Sequence, residues 1–126
     1  MKKFLKSFKY AANGVKQIFL KERNFRIDTV CALLVFVCSF IFSLDKWEKC
    51  VVFSLCALVL SLEAVNSAVE RAVDCAKEEF DPVAGLAKDM AAGACLIACV
   101  ISAAIGLYIF IPHAISFFLY FNFYYI

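Results

Sequence analysis

The sequence predicts an all-α membrane protein, with an N-terminal amphipathic helix on the membrane surface followed by three transmembrane helices. Three observations carry this. Apolar residues fill 64% of the 126 positions and charged residues only 19%, an apolar share well above that of an ordinary globular domain. Three apolar runs, at about 27–44, 50–73 and 90–111, approach the roughly 20 helical residues that cross about 30 Å of hydrocarbon. Eight of the thirteen Lys and Arg residues (Lys2, Lys3, Lys6, Lys9, Lys16, Lys21, Arg23 and Arg26) precede the first run, and the positive-inside rule then places the N-terminus in the cytoplasm. A single membrane domain over 1–126 accommodates all of it.

The surface helix spans about 2–21. Phe4, Leu5, Phe8, Ala11, Ala12, Val15, Ile18 and Phe19 recur at helical spacing with lysines between them, so an apolar face opposes a basic one. Such a helix is drawn to anionic lipid; nucleic-acid binding is not expected beside three membrane spans. Lys21–Asp28 (KERNFRID) reads as a solvated membrane-edge segment. Glu22 stands out in it, a carboxylate at the cytoplasmic boundary where a hard cation would find oxygen ligands.

The first span has an apolar run of fifteen residues, Val30–Leu44, and reaches spanning length by recruiting residues 27–29. No cleaved secretory signal is expected, because this run begins almost thirty residues in and lacks a small-residue cleavage site. Asp45–Lys49 (DKWEK) forms a short outer turn with Trp47 as interfacial anchor. The second span follows, then an inner loop from Cys75 to Asp89, where Pro82 and Gly85 interrupt helical continuity. The third span is rich in Ala, Gly and Ser, as close helix packing in lipid requires. His113 reads as an interfacial residue, and the aromatic tail 115–126 as an outer-surface or disordered segment. Seven cysteines, an odd number with no C-x-x-C pair, read as reduced core or lipid-facing residues.

The chemistry concentrates in Leu62–Asp74. Glu63, Asn66, Glu70 and Asp74 follow spacings of 3, 4 and 4, and at about 100° per residue they form one stripe. The run before it, Cys50–Leu62, holds no charge, so Glu63 lies at the edge of hydrocarbon. An acid there costs roughly 2.5–3.5 kcal/mol on insertion scales, which marks it as a functional residue. Lys88 and Asp89 open the third span, and a lysine near a helix N-terminus opposes the dipole and calls for an anion. With Glu22, these groups hold the parts of phosphoryl transfer: carboxylates for a metal, a cation for the moving phosphoryl group and a base for the acceptor hydroxyl. No G-x-x-x-x-G-K loop and no protein-kinase motif is present. A non-catalytic, ion-conducting oligomer is the alternative that intramembrane acids allow.

E-A-V-N-S-A-V-E-R-A-V-D at 63–74, A-K-D-M-A-A-G-A at 87–94, E-R-N-F-R-I at 22–27 and F-K-Y-A-A-N-G at 8–14 resemble the small bacterial membrane kinases that comprise diacylglycerol kinase and undecaprenol kinase. The resemblance covers about residues 4–112. It implies a homotrimer in the bacterial inner membrane, with active sites on the cytoplasmic side shared between subunits. It also implies ATP as phosphoryl donor and a lipid alcohol as acceptor. By position, Glu63 corresponds to the general base, Asn66 to the residue that orients it or a phosphate oxygen, and Glu22 and Glu70 to the Mg²⁺ ligands. Lys88 falls at the transferring phosphates, with Asp89 holding Lys88 or the nucleotide, and Tyr10, Gly14 and Asp74 line the nucleotide end. A-A-G-A at 91–94, N-G at 13–14, R-N-F-R-I at 23–27 and I-F-I-P at 109–112 resemble the undecaprenol kinase branch. Asp28 departs from that branch, which often carries histidine there, toward the diacylglycerol kinase habit of an acid.

Overall fold

The computed structural model describes residues 2–76 and 81–125. They form four helices: α1 (Lys2–Lys21), α2 (Arg23–Ile41), α3 (Lys46–Ala76) and α4 (Pro82–Tyr125). Three of them, Arg23–Ile41, Lys46–Ala76 and α4 over Pro82–Tyr120, are long and apolar enough to cross a membrane. The protein is thus an all-helical, multi-pass membrane protein.

α1 and α2 part at one residue. Glu22 adopts an extended backbone (φ −97°, ψ 119°) at the N-cap of α2, while its own N–H still closes the last turn of α1 on the Ile18 carbonyl at 2.8 Å. Its side chain makes no capping hydrogen bond, for a reason that the site supplies. The Arg26 guanidinium donates to the Leu20 carbonyl at 3.2 Å and satisfies a free carbonyl near the end of α1.

The α2–α3 turn is tightly specified. The Leu44 N–H returns to the Ser39 carbonyl at 3.1 Å and Phe42 N–H to Cys38 at 2.9 Å, with Ser43 in the left-handed region at φ 54°. Asp45 and Glu48 then form a reciprocal capping box: each carboxylate accepts the other's main-chain N–H at 2.8 Å. Glu48 also meets His113 of α4, 2.9 Å from Oε2 to Nε2. Outside the apolar run, these hydrogen bonds, first from the Asp45 backbone and then from His113, hold the Glu48 carboxyl below the usual carboxylate range. A lowered folded-state pKa stabilises the fold above the ordinary carboxylate value and ceases to do so as pH falls through the lowered one. The melting temperature in detergent is therefore expected to fall more steeply below about pH 4 in the parent than in Glu48→Gln. Parallel curves would remove Glu48 from this role.

α4 departs from the sequence-based expectation at both ends. Residues 77–80 of the expected inner loop lie outside the described residues, but Pro82 opens a helix instead of interrupting one. Proline suits the first helical position, where its missing N–H costs nothing, and Asp81 Oδ1 caps it by accepting the N–H groups of Val83 (2.9 Å) and Ala84 (3.4 Å). At the other end α4 runs through Pro112 to Tyr125. Phe42 packs edge-on against Phe110 and Phe117, with centroids 6.2 and 5.5 Å away, so both sides of the proline are held to the end of α2.

α4 packs along α3, and α2 packs on α3 with Phe36 stacked on Phe53 at 5.1 Å. Among the described residues the buried apolar side chains are Phe25, Leu44, Val52, Cys95 and Ala98. Most other apolar groups face outward, as expected where lipid is as apolar as leucine.

Candidate active site

The spacing that put Glu63, Asn66, Glu70 and Asp74 on one stripe in the sequence does so on α3. The stripe grades from interior to rim: Glu63 and Asn66 are each 8% exposed, Glu70 is half-buried and Asp74 exposed. Ser67 donates its hydroxyl to the Glu63 carbonyl at 3.0 Å. The buried Cys95 thiol of α4 stands against the Glu63 carboxylate. The other charges acting on Glu63 are, in descending order, Asp28, Glu70 and Glu22. Four carboxylates from three segments therefore share one end of the bundle, and their combined negative potential draws cations.

Asn66 links the stripe. Its Nδ2 donates to Glu70 Oε1 at 3.1 Å, while its Oδ1 is buried with no hydrogen-bond partner. A buried acceptor left unsatisfied costs about 1–3 kcal/mol, so this oxygen is set for a cation or donor that the chain itself does not supply. Among the described residues no three His, Cys, Asp or Glu side chains form a metal site by themselves. Magnesium is commonly held by one or two carboxylates with substrate phosphates completing its shell. Glu22, Glu70 and the orphaned Asn66 oxygen are hard oxygen donors of that kind and fit such an ion.

Two ion pairs bind the helices at the rim. Arg71 Nη2 lies 2.5 Å from Glu22 Oε1 and ties the α1–α2 junction to α3; this is why Glu22 does not cap α2. Lys88 Nζ lies 2.5 Å from Asp74 Oδ1 and ties α4 to α3. Because α4 starts at Pro82, Lys88 lies beyond its first turn and does not oppose the helix dipole as the sequence suggested; its anion is Asp74 all the same. Tyr10, Gly14 and Asp89 stand apart. All three are exposed, a Cβ at Gly14 would meet nothing within 4 Å, and among the described residues no hydrogen bond or ion pair joins them to the cluster.

Arg71, Asp28 and Cys95 are members of this site that the sequence reading did not place in it. For Asp28 the signal was available: it is an acid at the start of a span, and the rule that singled out Glu63 applies to it equally. Asp28 also lines a groove of about 700 Å³ between α2, α3 and α4. The rest of that lining, including Cys31, Val35, Leu55, Ala103 and Leu107, carries no charge. A single carboxylate therefore borders an apolar groove, next to the most buried acid of the cluster. Such an arrangement suits an amphiphile with one polar end.

The family model of prokaryotic diacylglycerol kinase matches residues 9–110. The chain is 39% identical over 112 residues to the undecaprenol kinase of Bacillus subtilis, covering 89% of this chain and 91% of that protein. It is 34% identical over 113 residues to a diacylglycerol kinase of Synechocystis, covering 89% and 65%, and 31% identical over 100 residues to that of Escherichia coli K12, covering 79% and 82%.

Proposed function

The chain belongs to the prokaryotic diacylglycerol kinase family and is a membrane lipid kinase, and we propose that it transfers the γ-phosphoryl group of ATP to the hydroxyl of undecaprenol. The observation that carries this reading is the position of Glu63, buried beside Asp28 where the apolar groove meets the acidic cluster. A polyprenyl chain in the groove brings its terminal hydroxyl to that junction. The 39% identity to an undecaprenol kinase, against 31–35% for diacylglycerol kinases, favours this acceptor. Asp28 favours diacylglycerol, the second reading.

Glu63 takes the proton of the acceptor hydroxyl as its oxygen forms a bond to the γ-phosphorus. The bond from that phosphorus to the bridging oxygen breaks, and ADP leaves with the electron pair. Asn66 fixes Glu70 through its amide and keeps the stripe in register. Glu22 and Glu70 would hold Mg²⁺, which neutralises phosphate charge when bound with the nucleotide. Lys88, released from Asp74, faces the transferring phosphoryl group with Asp89 beside it, and Tyr10, Gly14 and Asp74 receive the nucleotide. The separation of Tyr10, Gly14 and Asp89 from the cluster supports completion of the site by a neighbouring subunit, in a homotrimer. The exposed apolar face of α1, including Phe4, Leu5 and Phe8, supports its lying on the cytoplasmic surface of the inner membrane. The ion-conducting alternative has no support from the long uncharged stretch Cys50–Leu62 above Glu63, which offers a charge no path to the outer side.

The test offers undecaprenol and diacylglycerol in equal amounts to the detergent-purified protein with Mg²⁺ and labelled ATP. Label is expected mainly in undecaprenyl phosphate. Label mainly in phosphatidic acid would establish the second reading, and light scattering on the same preparation tests the trimer.

A further inference from the structure

Glu22 is the N-cap residue of α2, yet it caps nothing. A side chain at that position ordinarily bonds a free helix N–H. Instead its carboxylate reaches across to Arg71, forty-nine residues away, at 2.5 Å. Arg71 follows Glu70 directly in sequence, so the guanidinium ties up one of the two proposed metal ligands and projects from the residue beside the other. The pair is partly exposed, with side chains 42% and 29% accessible. Exposed ion pairs are weak, so a divalent ion with twice the charge can displace the arginine.

We infer that Arg71 is a placeholder cation: it occupies Glu22 while the nucleotide is absent, yields that carboxylate to the metal–nucleotide complex, and turns its guanidinium to the nucleotide phosphates. This rests on Glu22 being a metal ligand. The Glu22 carboxylate is never left without a positive partner, because the arginine leaves only as the ion arrives. The planar guanidinium fork matches two phosphate oxygens at once, which an ammonium does not. A bare divalent ion must compete with Arg71 and gains nothing from its release. A metal–nucleotide complex competes too, but recovers the arginine as a phosphate ligand. The device therefore selects the complex over the free ion.

Manganese serves as the probe, its binding to the full-length protein in detergent followed by electron paramagnetic resonance, with and without a non-hydrolysable ATP analogue. For Arg71→Gln, bare Mn²⁺ is expected to bind about three- to fivefold tighter, the scale of an exposed pair. The Mn²⁺–analogue complex is expected to bind about tenfold weaker, the scale of a lost charged hydrogen bond. Arg71→Lys should restore the exclusion of bare metal while leaving the analogue weak. Opposite shifts are the signature, since a residue that merely holds the helices together would weaken both. Both affinities falling, or neither changing, overturns the inference while Glu22 remains a ligand. If Glu22→Gln leaves Mn²⁺–analogue binding unchanged, the ligand assignment itself fails and the placeholder with it. Circular dichroism on each variant excludes loss of fold as the cause.

Discussion

Glu63→Gln is expected to lower phosphoryl transfer by about 10²–10⁴-fold, the usual contribution of a positioned general base, with the helical fold intact. Glutamine has the shape of glutamate and can still lie against the acceptor hydroxyl, but its amide does not take up the proton. The fold should tolerate it because Glu63 is one of several carboxylates that act on one another, and removing a like charge relieves repulsion. Initial rates at saturating lipid and nucleotide measure the first part; circular dichroism and gel filtration measure the second. A rate within a few-fold of the parent would take the base role from Glu63 and pass it to Asp28, the acid that acts on it most strongly.

The second large effect belongs to Glu70. Asn66 holds one of its oxygens at 3.1 Å, and Glu70→Gln keeps an acceptor for that hydrogen bond while removing the charge. A loss of about 10²–10³-fold is expected, comparable to deleting one group that stabilises transition-state charge. The loss should appear as a weakened response to Mg²⁺, with the acceptor KM little changed, because Glu70 lies toward the rim and the apolar groove is lined by other residues. Rates measured across a Mg²⁺ series separate the two. A variant that loses lipid affinity and keeps its metal response would place Glu70 at the acceptor instead.

The parts of this architecture that recur within one helix were legible in the sequence. The stripe on α3 follows from spacing alone, and the spans follow from runs of apolar residues. What joins different helices was not legible. The pairing of Arg71 with Glu22 and of Lys88 with Asp74 depends on how each helix is rotated about its axis, which a local period does not contain. Pro82 was misleading for a related reason. Proline is read from sequence as an interruption, but its effect depends on where the helix begins and on what neighbouring elements hold. At Pro82 the Asp81 cap makes it a starting residue. At Pro112 a single N–H is lost, and contacts of Phe42 on both sides hold the rod together; such prolines are tolerated in membrane helices.

Among the described residues the buried side chains include as their polar members Ser39, Glu63, Asn66 and Ser67; two of these four, Glu63 and Asn66, belong to the acidic stripe of α3, and Ser67 bonds back to the Glu63 carbonyl. In a soluble enzyme an oily interior supports the site from behind. Here the interior at that depth is the candidate site itself. Natural variation that would shrink or recharge the stripe therefore perturbs helix association and turnover together, and neither can drift alone. The groove wall is free of this double duty, since apart from Asp28 its lining, Val35, Leu55 and Leu107 included, carries no charge. Divergence in lipid preference within such an enzyme has its easiest route there, through exchanges among aliphatic residues that leave the chemistry untouched.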